Sequence, residues 1–254
     1  APPRGGPTAP PPTPPTPPPT TPPPPPGPRR APPAAAALAA IQPAVTRGVM
    51  AQPVFARYPF SLGVASGDPW PDSVVIWTRL APDPLAGGGM PRQAVEVGWE
   101  VAEDPQFRRI AARGTALARP ELGHAVHVEV GGLLPGRPYH YRFRAGQEIS
   151  PIGRTRTAPA VGDAPARLRF VSAGCQHYEH GFFTAWRHVA AEPELDFVFH
   201  SGDYIYEYRA RGNQPGGAPP GRQPQGDEIH TIDDYRNRDA RYRLDPDLAA
   251  AHAA

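Results

Sequence analysis

Proline is distributed so unevenly along this 254-residue chain that it confines the foldable part to one end. Nearly half of the 40 prolines precede Ala34, in runs such as Pro10-Pro11-Pro12. Such runs favour an extended polyproline conformation and bury no apolar surface. We therefore expect residues 1–51 to be a disordered Pro/Ala-rich segment, followed by roughly 200 residues that fold as one to two domains.

The same N-terminal segment carries the outline of an export signal. Arg29-Arg30 precede a weakly apolar stretch at 34–41 and a small-residue site at Val49-Met50-Ala51. This order is that of a twin-arginine signal, in a degenerate form because Pro32-Pro33 stand where such signals usually carry apolar residues. A signal of this kind predicts an exported bacterial protein, periplasmic or extracellular. A plain Pro/Ala linker and out-of-frame translation of this stretch are the alternatives.

Composition argues against a nucleic-acid partner, a membrane-spanning segment and an internal disulfide. All 26 basic residues are arginines, the formal net charge is +2, and the arginines are dispersed, so no basic stripe indicates a nucleic-acid partner. No run of 18 apolar residues occurs, so we expect no integral membrane segment. The single cysteine, Cys175, excludes an internal disulfide and is a buried thiol, a ligand or a nucleophile. The arginines at 236–243 alternate with aspartates, a pattern that predicts a solvated, salt-bridged helix face.

Between residues 52 and 160 apolar residues alternate with polar ones in short runs separated by turn residues. The runs at 95–101, 126–130 and 139–143 have the period of two that is typical of half-buried strands. Several such strands predict a two-layer antiparallel sandwich. The segment at 133–139 resembles the tyrosine corner of fibronectin type III domains, in which a tyrosine hydroxyl, here that of Tyr139, bonds to nearby backbone. We therefore predict an all-β fibronectin-III/Ig-like sandwich over residues 52–160.

After residue 165 the pattern changes to strand, helix and strand, at 168–173, 181–190 and 195–200. The second strand is mostly apolar, as buried parallel strands are. A connection of this kind makes the two strands parallel. Cys175 and Asp203 then both follow the carboxyl ends of neighbouring strands, where open α/β sheets bind their ligands.

Tyr206 lies three residues after Asp203 and reaches the same point if Gly202 and Asp203 open a helical turn. A thiolate, a carboxylate and a phenolate suit ferric iron better than magnesium. Bound to a metal, Cys175 is a ligand rather than a nucleophile. The alternatives are that Cys175 is a small buried hydrophobe and that Tyr206 is a packing residue.

Two histidines in the loop after the first strand, His177 and His180, are candidates for contact with a phosphate group. A helix N-terminus near Gly181 would support such a contact. The alternative is that both are solvated loop histidines.

Several segments resemble, in the same order, those of the alkaline phosphatase D (PhoD-like) family, over about residues 52–254. The most specific of them is Gly202-Asp203-Tyr204-Ile205-Tyr206-Glu207, and the others lie at 60–69, 75–79, 172–176, 233–238 and 245–248. The resemblance implies a secreted phosphomonoesterase or phosphodiesterase, monomeric at full length. It also implies two domains: the sandwich, and a calcineurin-like α/β metallophosphoesterase domain of which residues 165–254 are the truncated start.

The resemblance further implies that Cys175 and Tyr206 are iron ligands and that Asp203 bridges Fe³⁺ to Ca²⁺, with no catalytic residue separate from the ligands. Bridged metals polarise the oxygens of a phosphate ester substrate and activate an oxygen nucleophile. The family's later block of Asp, His, Glu and Asn ligands is absent here, so we expect this chain to be inactive alone. The alternatives are a non-catalytic exported β-sandwich binding module with a vestigial catalytic tail, and a phospholipase D-type phosphodiesterase of the same family.

Overall fold

A computed structural model describes residues 53–212, 214–215 and 217–254 of the chain. The expectations for residues 1–51, a disordered segment with a degenerate export signal, lie outside these residues. The strands of the N-terminal part, in chain order, are β1 Val64–Gly67, β2 Ser73–Arg79, β3 Val95–Ala102, β4 Ile110–Ala118, β5 Ala125–Gly131, β6 Pro138–Ala145, β7 Glu148–Ile149 and β8 Gly153–Arg156.

These eight strands form two antiparallel sheets. One has the order β1-β2-β5, and the other has the order β4-β3-β6, with β7 and β8 pairing with opposite ends of β6. Turns and short loops join β1 to β2, β3 to β4 and β6 to β7 and β8, whereas the chain changes sheet between β2 and β3, between β4 and β5 and between β5 and β6. A 3₁₀ turn at Pro120–Leu122 precedes β5. The predicted antiparallel pairing is therefore confirmed for this part of the chain.

The period-two alternation of the sequence determines which side chains meet between the sheets. In β3, Val95 and Val97 are buried whereas Glu96 between them is exposed. Apolar side chains of both sheets share one core, to which the first sheet contributes Val64, Val74, Ile76, Val126 and Val130, and the second Val95, Val97, Val101, Tyr139, Tyr141 and Phe143. Burial of these side chains is the main stabilisation of this region.

The predicted tyrosine contact is present at the entry to β6. The backbone N–H of Leu134 donates to the hydroxyl oxygen of Tyr139 over 2.9 Å. The Thr157 hydroxyl donates to the carbonyl oxygen of Leu134 over 2.6 Å. The loop before β6 is thereby fixed to the segment that follows β8.

The C-terminal part begins with two parallel strands, β9 Phe170–Ala173 and β10 Phe197–His200, joined through helix α1 Thr184–Ala190. Phe170 pairs with Phe197, and Ala173 with His200, which confirms the predicted strand–helix–strand unit. The helix begins three residues later than the expected Gly181, because Tyr178–His180 form a 3₁₀ turn before it.

The expectation that β10 is buried is wrong within the described residues. Phe197, Val198 and Phe199 retain 39, 37 and 58% of their accessible surface. The apolar cluster of this part instead forms among the helices and the loop before α1, from Tyr178, Phe183, Trp186, Tyr242 and Leu248. Of the two strands, Ala173 of β9 packs against that cluster, and the His200 ring at the end of β10 stacks on Trp186 with centroids 6.3 Å apart.

Two further helices, α2 Ile232–Arg243 and α3 Pro246–Ala253, complete the described chain. Thr231 and Asp234 form a reciprocal capping box that starts α2, and the Asp245 side chain caps α3. Arg236 in α2 donates to the carbonyl of Glu121 over 2.6 Å, which connects this helix to the sheets. No helix in the described part combines the length and the apolar character that crossing a membrane requires.

Candidate metal centre

The candidate site lies where β9 and β10 end. The hydrogen bonding between the two strands continues into the loops that follow: the N–H of Cys175 donates to the carbonyl of Gly202 over 3.1 Å, and that of Gln176 to the carbonyl of Asp203 over 3.2 Å. Cys175 and Asp203 both have left-handed backbones, with φ values of 55° and 53°. Each loop therefore bends sharply at the residue predicted to bind metal.

These bends bring the three predicted ligands together at one oxygen atom. The Cys175 thiol donates to Oδ2 of Asp203 over 3.3 Å, and the Tyr206 hydroxyl donates to the same oxygen over 2.9 Å. Tyr206 arrives by a bend at Asp203 rather than by the expected helical turn, because left-handed backbone at Asp203 is incompatible with a right-handed turn. Their role as metal ligands remains a prediction.

The donor set fits a multivalent cation. Desolvation, followed by the hydrogen bond to Asp203, raises the pKa of the Tyr206 phenol. A thiolate, a carboxylate and a phenolate this close repel one another unless protons or a cation lie between them. A cation that replaced the two hydrogen-bonded protons would release them on binding, so its affinity would rise with pH.

The phenol of Tyr206 completes the predicted donor set. Within residues 53–212, 214–215 and 217–254, no three His, Cys, Asp or Glu side chains are arranged so that they could hold a metal ion. The donor that lies beside Cys175 and Asp203 is instead the Tyr206 hydroxyl, 2.9 Å from Oδ2 of Asp203. Both Cys175 and Asp203 are exposed, so an ion can reach them from solvent.

The two loop histidines lie beside the three predicted ligands. The His177 ring stacks on that of His180, with centroids 4.0 Å apart, and lies 4.7 Å from the ring of Tyr206. Nδ1 of His177 accepts from the N–H of Glu179, so the proton of the neutral ring is on Nε2. Burial, and then the neighbouring His180, lower the pKa of His177 and favour this neutral form. Since α1 starts at Thr184, the helix N-terminus does not follow His180 directly as expected. The phosphate-binding role of both histidines remains a prediction.

A buried arginine supports the Tyr206 loop, and the sequence analysis did not identify it. Arg238 is only 2% exposed, and its guanidinium donates to the carbonyl of Tyr206, to that of Tyr208 over 3.2 Å and to that of Asp227 over 2.6 Å. The prediction that the arginines of α2 form a solvated face is therefore wrong for Arg238. The ion pairs Arg236–Asp233 and Arg243–Asp239 do form, which confirms it in part. The sequence did contain an indication that Arg238 is buried. Tyr242, an aromatic residue that is buried in the structure, follows Arg238 by four residues and so lies on the same helix face.

Comparisons with known proteins find matches for both parts of the chain, in the order that the sequence segments predicted. Residues 44–159 match the family model described as the PhoD-like phosphatase N-terminal domain, and residues 170–254 match that described as PhoD-like phosphatase. The chain is 56% identical over 208 residues to alkaline phosphatase D of Bacillus subtilis, a match that covers 81% of this chain and 35% of that protein. A solved structure of PhoD, also 56% identical, superposes with a TM-score of 0.75 over 80% of this chain and 38% of the other. The chain thus spans about a third of the length of the curated relative that it matches.

Proposed function

We propose that this chain, which belongs to the PhoD-like phosphatase family, contributes part of the metal site of a phosphoester hydrolase. The observation that supports this most directly is the convergence of the Cys175 thiol and the Tyr206 hydroxyl on one oxygen of Asp203. The two strands that present these residues are parallel neighbours, and the carboxyl edge of such strands is where ligands bind.

In this proposal Cys175 and Tyr206 would hold Fe³⁺, and Asp203 would be the carboxylate shared by Fe³⁺ and Ca²⁺. When bound, the two ions supply Lewis-acid polarisation of a phosphate ester. The chain's own contribution is to hold a thiol, a carboxylate and a phenol at mutual hydrogen-bond distance. Neutral His177, beside Tyr206, carries its proton on Nε2 and would donate to a phosphoryl oxygen, with His180 stacked against it.

The domain organisation belongs to the same proposal. Residues 52–160 form a fibronectin-III/Ig-like sandwich, for which two antiparallel sheets with a shared core give support. Residues 165–254 contribute to a calcineurin-like metallophosphoesterase domain, supported by the parallel strand pair. The substrate is a phosphate monoester or diester. Export rests on the twin-arginine outline at the N-terminus.

Metal binding by the purified chain tests the proposal. Titration with ferric citrate, in the presence of Ca²⁺, is expected to load about one iron per chain and to produce the visible charge-transfer absorption of ferric thiolate and phenolate. Cys175→Ala, Asp203→Asn and Tyr206→Phe are each expected to weaken iron binding by more than about tenfold, since even residues behind the ligands have effects of that size.

Tyr208→Phe is the matched control for Tyr206→Phe. It removes a hydroxyl from an exposed tyrosine two residues further along the same loop. Equal iron affinity and equal absorption in the two variants would show that Tyr206 is no ligand. Absence of iron binding by the unaltered chain would favour the non-catalytic binding module instead.

A further inference from the structure

The side-chain amide of Gln176 bridges three segments around the candidate site. Its Nε2 donates to the carbonyl of Tyr204 over 3.2 Å, and its Oε1 accepts from the indole Nε1 of Trp186 over 2.8 Å. Because an indole N–H can only donate, it identifies which end of the amide is the oxygen. The amide therefore has one orientation, fixed by helix α1, and points its N–H group at the loop after β10.

Gln176 lies between the two loops whose spacing determines the ligand geometry. It follows Cys175 directly, and the carbonyl that it contacts belongs to the residue after Asp203. Its backbone N–H also donates to the carbonyl of Asp203, so Gln176 makes two hydrogen bonds to consecutive residues of the opposite loop. Its third hydrogen bond, to Trp186, anchors both loops to the apolar cluster of the helices.

The backbone conformations of Cys175 and Asp203 indicate what the Gln176 contacts stabilise. Cys175 and Asp203 both have left-handed backbones, a conformation that is uncommon for non-glycine residues and costs more at cysteine than at aspartate. The loops approach closely: a Cβ added at Gly174 would lie 2.6 Å from the Ser201 hydroxyl. The Gln176 side chain adds a contact to the two backbone hydrogen bonds beyond the strand ends, and its loss would make it easier for the two bends to relax and for the thiol and carboxylate to separate.

We infer that Gln176 is a positioning residue, which holds Cys175 and Asp203 at the separation that a shared metal ion requires. The inference rests on the proposed function for its metal, but the hydrogen bonds that carry it are independent of any metal. Gln176 contacts neither ion nor substrate in this scheme. It acts through the backbone of the Asp203 loop and through Trp186.

A substitution that keeps the shape of the side chain separates this role from simple packing. Gln176→Glu keeps the acceptor for Trp186 but replaces the N–H donor with an oxygen that faces the Tyr204 carbonyl. Gln176→Ala removes both contacts, and Trp186→Phe removes only the group that orients the amide. Gln223→Glu makes the same chemical change at an exposed glutamine of the same part of the chain and serves as the matched control.

Hydrogen exchange of the metal-free chain gives the first readout. The backbone amides of Cys175 and Gln176 are expected to exchange roughly five- to tenfold faster in Gln176→Glu and Gln176→Ala, and by a smaller factor in Trp186→Phe. Gln223→Glu is expected to leave both amides at the original rate. Unchanged exchange of these two amides in Gln176→Glu overturns the inference, whatever the metal does.

Ferric citrate titration gives the second readout. Iron affinity is expected to fall roughly 10- to 100-fold in Gln176→Glu, with a weaker charge-transfer absorption, and to stay unchanged in Gln223→Glu. Faster exchange with unaltered iron affinity would also overturn the inference, since the loops would then separate without consequence for the metal. If the unaltered chain binds no iron, the proposed function fails, and hydrogen exchange alone still decides whether Gln176 joins the two loops.

Discussion

In the sheet region, residues 53–160, the largest fully buried side chains are Tyr139, Tyr141, Phe60 and Phe143, and all of them belong to one apolar core. In the site region, residues 165–254, charged groups reach the same depth. Glu179 is 1% exposed and Arg238 is 2% exposed, and Arg222 pairs with Asp245 at side-chain exposures of 3 and 4%. The deepest burial in the sheet region is thus apolar, whereas the site region also buries charged side chains, which need partners to stay there.

The two regions therefore differ in how strongly their stability depends on the exact geometry of their contacts. An apolar core is non-directional and tolerates small shifts of backbone, whereas a buried charge stays favourable only while each of its hydrogen bonds is made. Glu179 accepts from the backbone N–H groups of Arg211 over 3.0 Å and Gln225 over 3.3 Å, so one carboxylate fixes two points of a long loop. Directional contacts of this kind position the loops that carry Cys175 and Tyr206.

The largest expected effect is in the apolar core of the sheet region. Phe143→Ala is expected to lower the free energy of unfolding by about 3–5 kcal/mol, because it removes a fully buried ring and leaves a cavity. Denaturant unfolding followed by tryptophan fluorescence measures the loss. Leu117→Ala, at a side chain 45% exposed on β4, is expected to stay within about 0.5 kcal/mol. A similar loss for both variants would mean that the shared core does not stabilise the sheets.

A buried charge of the site region gives the next effect. Arg238→Ala is expected to lower the free energy of unfolding by about 2–3 kcal/mol, because it removes a buried donor from the backbone carbonyls of Tyr206, Tyr208 and Asp227, although that of Tyr208 still accepts from the Gln225 side chain. Arg238→Lys is expected to restore little of this, since an ammonium lacks the fork that reaches several acceptors. The same unfolding experiment measures both.

Arg209→Ala is the control for the Arg238 variants. Arg209 and its partner Asp227 have side-chain exposures of 74 and 90%, and exposed pairs of this kind contribute little. Arg209→Ala is therefore expected to cost less than about 1 kcal/mol. Should Arg238→Ala cost no more than this control, buried charge would not be what stabilises the site region.

We expect acid to destabilise the site region by protonating His252. Its Nε2 lies 2.7 Å from the Tyr204 hydroxyl, and burial, then the charges of Arg243 and His200, lower its pKa to about 3. The unfolded chain takes up this proton near pH ~6.5, so the stabilisation is complete above that pH and is lost as the pH falls towards 3. The expected loss is about 2 kcal/mol between pH ~7 and ~5.

Unfolding measured across that pH range, with two variants, tests the assignment. His252→Phe is expected to flatten the dependence, because it removes the titrating ring. His188→Asn, at an exposed histidine of α1, is expected to keep the slope of the unaltered chain. An unchanged slope in His252→Phe would assign the acid sensitivity to other groups.

The parallel strands and the meeting of Cys175 with Asp203 were predictable because the strand–helix–strand pattern is local. Tyr206 lies beside Asp203 as predicted, but the predicted helical turn at Asp203 is wrong. Nothing in the sequence indicates that the backbone of Asp203 is left-handed. Arg238 was missed because an alternation of Arg and Asp is the same in a solvated helix and in one that buries a single guanidinium. Gln176 was missed because its side-chain partners, Trp186 and Tyr204, lie 10 and 28 residues away, and no local pattern indicates an amide that joins such segments.

By itself the sequence determined the alternation that buries one face of each strand, the parallel order of β9 and β10, and the residue types of the predicted metal ligands. These depend on period and on spacing over a few residues. Only the tertiary structure decided which charges are buried, which loops are joined by side-chain hydrogen bonds, and that β10 remains exposed. Those outcomes depend on contacts between segments that are distant in the chain, such as Arg79 with Arg236, whose separation no local pattern encodes.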